Sequence, residues 1–257
     1  MNRRIFLGAT GALTACAALP VRAGTGSGLA MDMEVIRAAI SIHPGALRYL
    51  SEAQLADALD EVARAYLRAG SLPARFLALS TFLAKLKCGH THCNFYNQRD
   101  AIADDLSDRR TRLPFLFRWI DGQMVVTRDL SGSGRLPPGT IVTAIDGRAP
   151  AAILGALLPL ARADGGNDAK RVAQMEVTGG ERFPAFDIFQ GLLFPPQDGV
   201  FSLAFEPPGG APTTARLPAL SPAQRLAAAP PLPDDGTPLW SLAQREDGIA
   251  VLTMPSW

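Results

Sequence analysis

The chain has 257 residues, 47% of them hydrophobic and 19% charged, a balance that excludes a disordered polymer. Its 24 Gly and 21 Pro follow no triplet period, which excludes collagen. The formal charge of +1 comes from the amino terminus: the first 23 residues hold Arg3, Arg4 and Arg22 and no acid, and without them 22 basic side chains face 24 acidic ones. Charge therefore gives no support to a nucleic-acid or acidic-membrane partner.

Residues 1–23 have the form of an export signal. A basic start is followed by an apolar run from Ile5 to about Leu19 and a small-residue exit, Val21-Arg22-Ala23. The run is too short for a spanning helix, which needs about 20 apolar residues. Arg3-Arg4-Ile5-Phe6-Leu7 resembles the twin-arginine export signature, with ordinary secretion as the alternative. Leu13-Thr14-Ala15-Cys16 also resembles a lipobox that would attach lipid to Cys16, although no polar tether follows. Either way the expected location is outside the cytoplasm, in a periplasmic or other extracytoplasmic compartment.

Residues 32–88 carry helical periodicity. Asp32 is expected to cap a helix bearing Met33, Ile36 and Ile40, which His43-Pro44-Gly45 stops. Ser51-Glu52-Ala53-Gln54 has the capping-box form, with Leu55, Leu59, Val62 and Tyr66 on one face. Ser71 and Pro73 open a third helix striped by Phe76, Leu79, Leu83 and Leu86. Three one-faced helices predict a small bundle.

From Leu113 the period becomes that of strands. Leu113–Ile120 and Gln123–Arg128 flank Asp121-Gly122, a hairpin signal. Ile141–Ile145 and Phe201–Phe205 read as further strands, Ala151–Leu160 as an apolar helix, and Ala169–Leu193 as partly helical. Residues 207–238 hold nine of the prolines and read as a linker or an extended wrap. Leu239–Arg245 and Ile249–Met254 flank Asp247-Gly248 as a second hairpin. The fold class expected is α+β: a helical region (32–95), a β-rich module (113–206), a linker (207–238) and a short terminal segment (239–257).

Cys88-Gly89-His90-Thr91-His92-Cys93 gathers two of the three His and both Cys that remain after signal removal. Four zinc ligands within six residues can hardly all surround one ion, so no metal is expected there. In an oxidising compartment a Cys88–Cys93 disulfide becomes plausible, worth roughly 2 kcal/mol on the chain-entropy argument. Two buried free thiols are the alternative. His43, before Pro44, reads as a structural histidine. Ser131-Gly132-Ser133-Gly134 is not a nucleophile elbow, and no phosphate loop or dinucleotide glycine pattern occurs, so no cofactor is expected.

Four segments, taken in order, resemble the tail-specific, or carboxyl-terminal processing, serine peptidases. His43-Pro44-Gly45-Ala46-Leu47-Arg48-Tyr49 resembles their "His-Pro-x-x-x-x-Tyr" stretch, and Leu86-Lys87-Cys88-Gly89-His90-Thr91 their "Leu-x-Asp-Gly-His-Thr" turn, with Cys88 in place of Asp. Pro138–Gly147 is similar to a strand of their PDZ-like module, and Gly248–Trp257 to the first strand of their catalytic core. The resemblance implies a peptidase architecture that stops at its catalytic domain: the nucleophile and base segments follow that strand in the family. It therefore assigns no catalytic residue here, reads His90 as structural, and implies that these residues alone are inactive. A stand-alone module binding peptides is the other reading. The partners implied are peptide or unfolded-protein tails, whose carboxylate the turn at Gly122, Gln123 and Met124 would receive.

Overall fold

The computed structural model describes residues 26–179, 181–228 and 240–253. The expected export segment with Arg3, Arg4 and Cys16, and the second part of the expected linker, lie outside the described residues. Contacts divide the chain into two compact units, Met1–Ala69 and Gly70–Trp257. None of the described helices is long and apolar enough to cross a membrane.

The first unit holds α1 (Gly26–Ser41) and α2 (Glu52–Arg68). The capping box forms as its residue types dictate. The Ser51 hydroxyl accepts from the Gln54 amide, and the Gln54 side chain accepts from the Ser51 amide. Asp32 is not a cap, because α1 begins well before it; its carboxylate instead accepts from the Tyr66 hydroxyl of α2 at 3.1 Å. Arg37 and Asp60 pair at 2.8 Å across the same two helices, but both are exposed, so the pair adds little stability. His43 is structural, as expected: its Nδ1 accepts from the Gly45 amide at 3.0 Å and shapes the turn after α1.

The second unit begins with α3 (Leu72–Lys85), capped by the Ser71 hydroxyl, and α4 (Asp100–Ser107). α3 belongs to this unit, where it packs on α4 and on the 3-10 turn Leu158–Leu160. Its Phe76 side chain explains this, because that ring is part of the core beneath the sheet.

Five antiparallel strands follow in chain order across one sheet. They are β1 (Phe115–Ile120), β2 (Gln123–Asp129), β3 (Ile141–Ile145), β4 (Val200–Glu206) and β5 (Thr213–Pro218). Between β3 and β4 the chain inserts α5 (Pro150–Leu157), α6 (Asp168–Gln174) and α7 (Ala185–Leu193). The fold is α+β, as expected. Period-two alternation turns Phe201, Leu203 and Phe205 of β4 inward, beside Ala215 and Leu217 of β5. In β1 three consecutive residues, Phe115 to Phe117, are buried, because the register shifts between Leu116 and Phe117 and re-aims one side chain. Phe117 meets Phe186 of α7 edge-to-face with centroids 4.8 Å apart, which fastens that helix to the sheet.

Beyond β1, Val177 bridges Phe117 through two backbone hydrogen bonds, and Glu176 accepts the Trp119 amide at 3.1 Å. That edge of the sheet is thereby occupied.

The proline-rich stretch corrects the linker expectation, since it supplies β5 and then α8 (Pro222–Ala228). Pro218 is tolerated because it ends an edge strand, where its missing N–H costs no ladder bond. A buried ionic knot then holds the segment down. Asp187 of α7 stands 3.8 Å from Arg112 Nε and 3.5 Å from Arg225 of α8. Arg225 also donates to the Leu113 carbonyl, and Arg112 exchanges backbone hydrogen bonds with Leu220.

The second hairpin forms as read, β6 (Ser241–Gln244) with β7 (Ala250–Thr253), and every residue of both strands is exposed.

Candidate functional site

The site begins where α3 ends. Leu86 caps the helix, and Lys87 takes a left-handed φ of 51°, turning the chain sharply. Cys88 to Thr91 then close a turn in which the Thr91 amide donates to the Cys88 carbonyl at 3.1 Å. A second loop, after the turn at Leu158–Leu160, meets it. The Gly165 amide donates to the Lys87 carbonyl at 2.9 Å, and the Gly89 amide to Asp164 Oδ1 at 2.8 Å. Two segments 75 residues apart are clamped together in this way.

These loops form one end of a cleft of about 740 Å³. Its floor is a run of aromatic contacts that leads from the core to the surface. Phe189 stacks on Phe76 at 5.9 Å, Phe76 meets Phe95 at 5.3 Å, and Phe95 stacks on Phe183 at 5.1 Å. Tyr96, 70% exposed, closes on Phe183 at 5.3 Å. The rim is polar, with His90, His92, Arg162, Asp164, Lys170 and Glu176. An apolar floor with a few convergent polar groups is the common form of a binding site.

Cys88, His90 and Asp164 come together here, their donor atoms all within 4.8 Å of one another. His90 is exposed at this point. An imidazole beside a carboxylate can move a proton, and the same two groups with a thiol can hold a metal ion. Asp164 carries no signal in the sequence beyond the Asp-Gly-Gly turn it begins, because its partners lie so far along the chain.

The other members of the motif point elsewhere. His92 contacts the Arg162 guanidinium through its ring, and burial together with that cation pushes its pKa down. Cys88 and Cys93 are both free thiols here, each partly buried. Cys93 packs against the core, where burial pushes its thiol up to about 11 despite the Ser80 hydroxyl. The Cys88 thiol is held below its ordinary value, chiefly by a hydrogen bond from Thr91 and then by backbone amides, against burial and the Asp164 charge.

The turn expected to receive a peptide carboxylate is a tight two-residue hairpin. Asp121 and Gly122 both take positive φ, 50° and 76°, and Ile120 pairs with Gln123 directly across it. Met124 is fully buried and pairs with Trp119 and Val142, so it presents no side chain to a ligand. Gly122 and Gln123 are exposed at its tip.

No protein-family model and no curated protein matches this sequence. Solved structures do. Mature CPAF, a chlamydial protein, complexed with lactacystin matches with a TM-score of 0.51 at 12% identity, over 88% of this chain and 47% of that one. A CPAF mutant matches with a TM-score of 0.51 at 14% identity, over 75% and 34%. Mature CPAF alone matches with a TM-score of 0.50 at 12% identity, over 88% and 46%. At this identity the likeness is one of fold, and the chain spans less than half the length of the structures it matches.

Proposed function

We propose that this chain is the substrate-handling part of an exported serine peptidase of the tail-specific type, and that its cleft takes an apolar stretch of an unfolded or carboxyl-terminal peptide. The observation that carries this reading is the aromatic floor running from Phe189 out to Tyr96 beneath a polar rim. Aromatic faces of this kind bind apolar side chains, and the rim supplies groups to hydrogen-bond a peptide backbone. The peptidase type is supported by the four motifs in family order and by the fold likeness to CPAF, a chlamydial protease of the tail-specific kind. Within the cleft we assign proton transfer to His90, because it is an exposed imidazole near the Asp164 carboxylate at the cleft mouth. The nucleophile follows the first core strand in that family, so hydrolysis belongs to the larger architecture.

The test is fluorescence anisotropy with a labelled unfolded peptide rich in Leu and Phe and ending in a free carboxylate, in buffer with a chelator. Binding that weakens at least tenfold in Tyr96→Ala and in Phe183→Ser is expected, with unchanged circular dichroism. No binding by the wild-type chain, or equal binding by both variants, overturns the cleft assignment.

A further inference from the structure

We infer that Cys88, His90 and Asp164 form a binding site for a single zinc-type divalent ion at the mouth of the cleft. The three donors are a thiol, an imidazole and a carboxylate drawn from two loops, and their donor atoms lie within 4.8 Å of one another. The spacing objection raised by the sequence concerned Cys88, His90, His92 and Cys93 as a local set. The structure separates that set, sending Cys93 to the core and His92 to Arg162, and brings in Asp164 instead.

Metal–ligand bonds of about 2.0–2.3 Å require donors about 3.3–3.8 Å apart in a tetrahedron, so the site closes by roughly 1 Å on loading. His90 and Asp164 are exposed and can make that adjustment by side-chain rotation. The backbone behind them is already fixed. Gly165 is bonded to Lys87, and the Gly89 amide holds Asp164 Oδ1 while Oδ2 stays available as a ligand. Donation to one carboxylate oxygen is the outer-shell contact that orients metal-binding acids. A Cβ at residue 89 would stand 2.8 Å from Oδ2, so a side chain there would displace the carboxylate.

The mixed sulfur, nitrogen and oxygen set favours zinc or cobalt over magnesium or calcium, which take oxygen ligands. Three protein ligands leave a fourth position free, and the cleft lies beside it. The inference rests on the proposed function only for its consequence: an ion held by His90 occupies the nitrogen that would otherwise carry a proton, so metal would inhibit. Metal binding itself stands on the donor geometry alone.

The experiment titrates the reduced, metal-free full chain with cobalt(II) and then displaces cobalt with zinc. One ion per chain and a thiolate-to-cobalt absorption band are expected. Cys88→Ser should abolish the band; His90→Ala and Asp164→Asn should each weaken binding at least tenfold; Cys93→Ser and His92→Ala should leave it unchanged. A band that survives Cys88→Ser, an affinity indifferent to Asp164→Asn, or dependence on Cys93 or His92 overturns the site. Because this readout needs no peptide and the anisotropy test contains no metal, each can fail alone.

Discussion

The Gly89 amide donates to Asp164 Oδ1 at 2.8 Å, while the space where a Cβ of residue 89 would lie is 2.8 Å from Oδ2. The carboxylate is thus both bound by residue 89 and packed against its missing side chain. Gly89→Ala is expected to cost about 1–3 kcal/mol through this overlap. Asp164→Ala loses one hydrogen bond, about 1 kcal/mol. The double variant should cost less than the sum, because removing the carboxylate makes room for the methyl group. Urea midpoints of the four proteins test this; strict additivity would remove the packing argument.

The two thiols should behave as different chemical species. Thiolate is the reactive form, and it is favoured at Cys88 and disfavoured at Cys93, whose pKa is raised to about 11. Brief alkylation of the folded protein near pH 8 should modify Cys88 first, with Cys93 reacting only after denaturation. Peptide mass mapping reads this directly, and equal labelling of both in the folded state would contradict the burial of Cys93.

Asp187 is 1% exposed and stands between two buried guanidinium groups. Asp187→Ala removes the carboxylate that both buried cations share and should cost about 3–5 kcal/mol. The loss should be concentrated in β5 and α8, which the Arg225 and Arg112 contacts tie to the module. Hydrogen exchange over Thr213–Ala228 should therefore accelerate more than over β1 and β2. Uniform acceleration would mean that the knot does not anchor the segment locally.

Export is tested at the amino terminus. Replacing both residues, Arg3→Lys with Arg4→Lys, should retain the chain inside the cell if the twin-arginine route is used. Unchanged export sinks that route, and export of a Cys16→Ala variant without membrane attachment distinguishes simple secretion from lipidation.

What could be read in advance was local. Ser51 with Gln54, and Asp121 with Gly122, define a cap and a turn from residues within four positions of each other, and both form. α4 was missed because Arg99, before it, supplies no side-chain cap. β5 was missed because Pro212 and Pro218 bracket it, and only its place at the sheet edge makes them harmless. Asp164 was missed for a different reason: its role exists only through a partner 75 positions earlier, and no spacing rule reaches so far.

The clamp between those two loops also orders events in time. Cys88 and Cys93 leave the ribosome about 75 residues ahead of Asp164, roughly 4–15 s at ordinary synthesis rates. Until the second loop arrives, the two cysteines are joined by only four residues of flexible chain. A chain that folds in the reducing cytosol before crossing a membrane completes the clamp with both thiols intact, whereas one threaded across unfolded meets an oxidising compartment first. If the chain is exported, the thiol state of the product would therefore report which of these routes it took.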